Sequence, residues 1–265
     1  MKKAFSTLGC PGWSLSDICA TAGDLQFDGI ELRGLLDFID ITKSPYFSDD
    51  KLDNTLKKIA KAKLTVPMLT SGAVLGTADN GSAADEARRF IDLAAKIGVP
   101  YVRVMITGNP HYEQADLAAA ECAYRGLCEY AADKGVTPLI ETNGPFCDTK
   151  VLADFLKAVN HPNSGVLWDV HHPYRYLGET PEQTMANIGS AVKYVHVKDS
   201  VMQNGAVSYR MMGYGDVPFA RALELLKTSV YEGYVSLEWT KRWLNDLEEP
   251  GIVFSHYASV IDEYL

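Results

Sequence analysis

Four residues with metal-binding side chains end four consecutive apolar segments of the sequence. Glu141 ends PLIE, Asp169 ends VLWD, His196 follows VKYV and Glu238 ends YVSLE. Successive side chains alternate across a strand, so three carboxylates and one imidazole meet if these faces point inward. Close carboxylates repel one another and are costly to bury, and a divalent cation relieves both penalties. Oxygen ligands with one imidazole suit Mn²⁺, Mg²⁺ or Co²⁺ and also admit Zn²⁺. We therefore predict one divalent metal ion bound by these four residues.

The elements that must position these side chains alternate along the chain. Eight short runs rich in β-branched and aromatic residues precede longer segments with helical periodicity. The runs are residues 3–9, 27–33, 64–70, 101–106, 136–142, 165–170, 192–198 and 233–239. About 33 residues per strand–helix unit is typical of a (β/α)8 barrel, whose catalytic residues follow the carboxyl ends of its strands. We predict an α/β protein with a single-domain TIM barrel over residues 1–265.

The alternative fold is an open, doubly wound sheet. Its usual nucleotide-binding signals are missing, because no GxGxxG motif follows the first run and no Walker loop occurs. Two buried charges inside predicted strands, Glu31 and Arg103, need partners, and we expect them in ion pairs within or near the barrel.

Composition narrows the classes of partner. The net charge of −9 disfavours nucleic-acid binding, which needs a surplus of Lys and Arg. No run approaches the roughly 18 apolar residues of a membrane helix, and the amino-terminal segment is too short an apolar run for a signal peptide. The five cysteines form no CxxC pair. We expect a cytoplasmic enzyme with a small-molecule substrate, and a homo-oligomer remains open.

The order E…DxxH…H…E on strands five to eight resembles the xylose-isomerase-like TIM-barrel superfamily. The likeness extends over nearly the whole chain and includes DGIEL (28–32), HVKD (196–199) and GYGDVPF (213–219). That superfamily includes sugar-phosphate isomerases and epimerases, inosose dehydratases and apurinic endonucleases. The resemblance implies that Glu141 and Glu238, besides ligating the metal ion, flank a bound sugar and transfer protons.

Further substrate contacts are expected around these ligands. The resemblance places His172 beside the metal ion and the substrate, whereas strand alternation alone would favour His171. Lys198 shares the face of His196, one step further along the strand. We expect Lys198 to contact the substrate, Arg210 to bind a phosphate or carboxylate group, and Trp13 to form an apolar wall for a sugar.

The chemistry consistent with these residues is proton transfer next to a carbonyl group, in which two carboxylates act as acid and base and a metal ion stabilises an enediolate. We predict a metal-dependent isomerase or epimerase of a sugar, sugar phosphate or small hydroxy-keto compound. The alternatives are an inosose-dehydratase-like lyase and a non-catalytic sugar-binding barrel. An apurinic endonuclease is disfavoured, because His111 is the only histidine before Glu141.

Overall fold

The chain folds around eight parallel strands that form a nearly closed barrel. A computed structural model of the chain describes residues 1–77 and 80–265. The barrel strands are β1 (Lys2–Ser6), β2 (Gly29–Glu31), β3 (Met68–Val74), β4 (Tyr101–Met105), β5 (Thr137–Glu141), β6 (Gly165–Asp169), β7 (Val192–Val197) and β10 (Tyr234–Leu237). Their order in the sheet is β2-β1-β10-β7-β6-β5-β4-β3, which confirms the predicted (β/α)8 barrel.

Helices follow the strands as the periodicity indicated. They are α1 (Leu15–Asp24), α2 (Leu52–Lys61), α3 (Asn80–Ile97), α4 (Leu117–Ala132), α5 (Thr149–Val159), α6 (His171–Leu177), α7 (Pro181–Ile188), α8 (Phe219–Thr228) and α9 (Pro250–Ile261). Local chemistry sets where several of them begin. Ser14 and Asp17 form a reciprocal capping box at α1, and Asp148 accepts two backbone N–H bonds at α5. Within residues 1–77 and 80–265, no helix combines the length and apolarity that crossing a membrane requires.

The differences from the sequence prediction include the start of one strand and an additional hairpin. Strand β3 begins at Met68 rather than Leu64, because Pro67 cannot donate a backbone hydrogen bond to a ladder. An antiparallel hairpin, β8 (Asp199–Gln203) with β9 (Ala206–Arg210), follows β7 and was not predicted. Asn204 and Gly205 connect its strands, and both have positive φ, as the tight turns of two-residue hairpins require.

Contacts within the chain group into two compact units. Unit one consists of Met1–Pro67, Val197–Val217 and Val230–Leu265, and unit two of Met68–His196 and Pro218–Ser229. In unit one, the ring of Phe5 stacks on Phe254 at 4.1 Å and meets the ring of Phe27 edge-on at 4.9 Å. In unit two, Phe155 contacts Phe146 and Tyr124. Burying each such ring contributes about 1.5–3 kcal/mol, so both units have an apolar core of their own.

Candidate metal centre

Glu141 is a buried carboxylate at the carboxyl end of β5. Its Oε2 atom accepts a hydrogen bond of 3.0 Å from the guanidinium of Arg103, which also donates to the Ser71 carbonyl at 2.7 Å. Its Oε1 atom is buried and has no hydrogen-bond partner among the described residues. Burial favours the neutral acid, but Arg103, His196 and His172 outweigh it and hold the pKa of Glu141 below its ordinary value. Glu141 is therefore ionised, with one oxygen free for a further ligand.

Asp169 ends β6, and hydrogen bonds to the end of β5 fix its position. Its Oδ1 atom accepts a bond of 2.9 Å from the backbone N–H of His171. Its own N–H donates to the hydroxyl of Thr142 at 2.9 Å, and that hydroxyl donates back to the Asp169 carbonyl at 3.1 Å. With Oδ1 engaged by the backbone, Oδ2 is the oxygen that faces the neighbouring imidazoles.

His196 lies on β7 directly opposite Asp169 in the strand register. Its Nδ1 atom is 3.5 Å from Glu141 Oε1 and 3.9 Å from Asp169 Oδ2. All three side chains are almost fully buried. The register of β6 and β7 thus places Asp169 and His196 side by side, whereas Glu141 on β5 lies opposite Leu167 and reaches His196 through its side chain.

Glu238 directly follows the last residue of β10 and has a basic partner of its own. Its backbone N–H donates to the Val197 carbonyl at 3.1 Å, which continues the ladder beyond the strand. Its Oε2 atom accepts a hydrogen bond from the ammonium group of Lys198, and both side chains are buried. Lys198, expected to contact the substrate, is therefore also the counter-charge of a predicted ligand.

The donor set fits a divalent metal ion. Ligand atoms of Glu141, Asp169, His196 and Glu238 all lie within 4.8 Å of one another. Carboxylate oxygens with one imidazole nitrogen suit hard or borderline divalent cations. Glu141 Oε1 supports this fit, because it is buried and its contact with His196 Nδ1, at 3.5 Å, is long for a hydrogen bond, so a cation would satisfy it better.

His172 contacts the same carboxylate from the first turn of α6. Its Nδ1 atom is 3.2 Å from the Thr142 carbonyl, and its Nε2 atom is 3.5 Å from Asp169 Oδ2. Since a carbonyl only accepts, Nδ1 carries a proton and donates it to the Thr142 carbonyl. His171 is equally buried and joins Asp169 and His172 in a second group of potential ligands within 4.8 Å. The choice of His172 over His171 as the substrate contact stays a prediction.

Arg210 and Trp13 lie in unit one with partners of their own. The guanidinium of Arg210 donates to Ser208 Oγ at 2.6 Å, to the Tyr209 carbonyl at 2.8 Å and to Gln203 Oε1 at 3.3 Å. The half-buried indole of Trp13 packs edge-on against Phe254 at 5.7 Å. Their proposed contacts with a phosphate or sugar stay predictions.

Two residues near the predicted ligands were not recognised as part of the site. Arg103 was expected in a structural ion pair, and it does pair, but with the predicted catalytic Glu141. Thr142 links Asp169 to β5 and also accepts from His172. The sequence carried a signal for Arg103, because a charge inside a buried strand is unusual. It carried none for Thr142, because a hydroxyl residue directly after a predicted ligand is common. Glu31, the other buried charge, accepts a hydrogen bond of 2.8 Å from Ser236.

Comparison with known proteins gives one family. A sequence model described as xylose isomerase-like TIM barrel matches residues 17–254. An uncharacterized protein of Methanocaldococcus jannaschii, MJ1311, is 25% identical over 145 residues, which are 52% of this chain. The matched part spans about half, 47%, of that protein's length.

Solved structures from several organisms share the fold. The probable 3-DHS dehydratase AsbF of Bacillus anthracis superposes with a TM-score of 0.81 at 17% identity, covering 99% of both chains. A D-allulose 3-epimerase of Methylomonas sp. in complex with D-allulose gives 0.77 at 19%, covering 100% of this chain and 97% of its own. A xylose isomerase-like TIM barrel protein of Mycobacterium smegmatis in complex with magnesium gives 0.77 at 16%, covering 99% and 96%.

Proposed function

Because the chain belongs to the xylose isomerase-like TIM barrel family, we propose that it is a metal-dependent isomerase or epimerase. Its substrate is a sugar, sugar phosphate or small hydroxy-keto compound. The observation that carries this proposal is the buried group Glu141, Asp169, His196 and Glu238, whose ligand atoms lie within 4.8 Å of one another. The fold match to an epimerase that binds D-allulose, and to a relative that binds magnesium, is consistent with it.

In this proposal these four residues hold one divalent ion, Mn²⁺, Mg²⁺, Co²⁺ or Zn²⁺. When bound, such an ion acts as a Lewis acid toward substrate oxygens that gain negative charge. The remaining chemistry belongs to the protein. One glutamate accepts the proton from the carbon next to the carbonyl group, and the other returns a proton at the adjacent carbon or on the opposite face.

The basic partners assign complementary tasks to the two glutamates. Arg103 engages Oε2 of Glu141 and keeps that carboxylate ionised and oriented. Lys198 holds Oε2 of Glu238 and orients that carboxylate. His172, with Nδ1 fixed by the Thr142 carbonyl, directs Nε2 toward the same region.

Solvent exchange tests this mechanism directly. We expect the wild-type protein to incorporate deuterium from D₂O into its substrate, and Glu141→Gln and Glu238→Gln to abolish incorporation. Glu232→Gln provides the control, because Glu232 is an exposed carboxylate outside the group. Elemental analysis of protein purified without chelator should find about one divalent ion per chain. Exchange that persists in both glutamine variants contradicts the two-glutamate mechanism.

A lyase is the second candidate, and the fold match to a probable dehydratase favours it. Dehydration next to a carbonyl also begins with removal of a proton from carbon, so the same glutamates would serve. A screen of ketoses, inososes and hydroxypyruvate separates the two reactions by product mass. An isomer has the mass of its substrate, whereas a dehydrated product is lighter by one water.

A further inference from the structure

Arg242 occupies the loop that connects β10 to α9, four residues beyond Glu238. Its backbone N–H donates to the Leu8 carbonyl at 3.2 Å, which places it just past the carboxyl end of β1. The neighbouring Lys241 fixes the loop, because its ammonium donates to the carbonyls of Asn245 and Leu247. Arg242 therefore has a defined position at the end of the barrel strands where catalytic residues of this fold lie.

One edge of the Arg242 guanidinium is buried without an acceptor. Both Nε and Nη2 are enclosed, and neither donates to any atom in the part of the chain that the structure describes. These two nitrogens form one fork of the guanidinium, whose parallel N–H bonds match two oxygens of a carboxylate or a phosphate. Buried donors of a charged group are rarely left unpaired, because their desolvation is costly.

The surroundings of this fork are rigid. Gly34 has φ of +82°, and a Cβ atom there would lie 3.3 Å from both Cζ and Nε of Arg242, so the guanidinium rests against bare backbone. Thr7 secures that turn, since its hydroxyl donates to the Gly34 carbonyl at 2.7 Å and accepts from the Arg33 N–H at 2.8 Å. The side chain of Arg33 is itself buried, and its guanidinium lies 6.0 Å from the ring of Trp243. Arg242 thus packs on a turn that carries a second arginine, whose guanidinium also donates to the Ile39 carbonyl at 3.3 Å.

Within residues 1–77 and 80–265, no carboxylate forms an ion pair with Arg242. Asp37 is close enough to act on it electrostatically, but the two form no ion pair. The thiol of Cys10, also nearby, is neutral because burial raises its pKa strongly. Arg210, the arginine expected from the sequence to bind an anion, already donates to three acceptors of its hairpin. Arg242 is the better anion ligand of the two.

We infer that the Arg242 fork, with Arg33 on the adjoining turn, binds the anionic group of the substrate. This inference rests on the proposed function and narrows it: the substrate is a sugar phosphate or a hydroxy-keto acid rather than a neutral sugar. A carboxylate and a phosphate share the chemistry that this fork recognises, because each presents two oxygens that accept two parallel N–H bonds.

Calorimetric titration with inorganic phosphate and with D-glycerate tests the inference without any measurement of activity. The titrations are run in the presence of EDTA, so that an anion bound through a metal ion does not contribute. We expect wild-type protein to bind one equivalent of one of the two anions, and the preferred anion distinguishes a phosphate from a carboxylate substrate. Arg242→Met should weaken anion binding about tenfold or more. Arg242→Lys keeps the charge but not the fork, so its affinity for the anion should lie between those of the wild type and of Arg242→Met.

Two further variants make the test decisive. Arg88→Ala removes an exposed arginine paired with Asp85 and should leave anion binding unchanged. Asp37→Asn should tighten anion binding, because it removes the nearest competing charge. Undetectable binding by wild-type protein, or equal binding by wild type and Arg242→Met, overturns the inference. So does an Asp37→Asn variant that is less stable and binds anions no better, since Asp37 would then be the true partner of the fork. The proposed function is tested separately. If the Glu141 and Glu238 variants lose deuterium exchange, that function is supported even when the anion-binding inference fails.

Discussion

Asp199 joins two sequence motifs, and replacing it with asparagine should unfold the loop between them. Its carboxylate is buried and accepts four backbone N–H bonds. Oδ1 accepts from Ser200 at 2.8 Å and from Val217 at 3.2 Å, and Oδ2 accepts from Gly213 at 2.9 Å and from Gly215 at 2.8 Å. Asp199 is the last residue of the motif HVKD. Three of its four donors, the N–H groups of Gly213, Gly215 and Val217, belong to the motif GYGDVPF.

The cost of Asp199→Asn follows from counting these bonds. The amide keeps one oxygen, which can serve two of the four donors. Its NH₂ group then faces the other two N–H groups, so two charge-assisted bonds are lost. Each such bond contributes about 1.5–3 kcal/mol, which gives a decrease of about 3–6 kcal/mol in the free energy of unfolding.

Urea denaturation followed by circular dichroism measures this decrease, and amide hydrogen exchange locates it. The amides of Gly213 and Gly215 should lose protection before those of the barrel strands. Asp246→Asn is the matched control, because Asp246 is exposed, and it should change the free energy of unfolding by less than about 0.5 kcal/mol. A loss below about 1 kcal/mol in Asp199→Asn, with both glycine amides still protected, would refute this reasoning.

Three further predictions concern the candidate centre and the cysteines. Chelation of a bound metal ion should lower the melting temperature of the wild type but not of Asp169→Asn. A ligand at about 100 times its Kd stabilises the folded state by about 2.7 kcal/mol, which the wild type would lose. Equal shifts of the two proteins in scanning calorimetry would contradict this. In a double-mutant cycle, Lys198→Met and Glu238→Gln should couple by more than about 1 kcal/mol, because each change removes one partner of a buried ion pair; additive losses in urea titrations would argue against the pair. Cys122 is exposed, whereas burial raises the pKa of the Cys128 thiol to about 12. Iodoacetamide at neutral pH should therefore alkylate Cys122 before Cys128. Mass spectrometry of the peptides gives the order of alkylation.

The barrel was predictable because its signals are local and repeated. Each strand is a short apolar run, and caps such as Ser14 and Asp148 mark where helices begin. The hairpin β8–β9 was missed although Asn204-Gly205 is a strong turn signal. Its strands are half exposed and carry few large apolar residues, so a search for buried runs passes over them.

The proximity of some predicted ligands follows from strand register, whereas the partners of these ligands do not. Asp169 and His196 are register partners on neighbouring parallel strands, so they lie side by side however far apart they are in the sequence. The partner of Arg103 depends on side-chain reach between β4 and β5, which the sequence does not encode locally. No motif in the segment TKRWLN marks Arg242, and its buried fork is visible only from its packing in the fold.

The hydrogen bonds of Thr142 have a consequence for which ions the centre would accept. Thr142 donates to and accepts from the backbone of Asp169 and also fixes the ring of His172. The ends of β5 and β6 therefore move together, and their side chains cannot spread independently. Ca²⁺ needs ligand distances of about 2.3–2.6 Å and a flexible shell, whereas Mg²⁺ needs about 2.0–2.1 Å. If Asp169 ligates a metal ion as proposed, this bracing by Thr142 favours a cation with a rigid shell, such as Mg²⁺, over Ca²⁺.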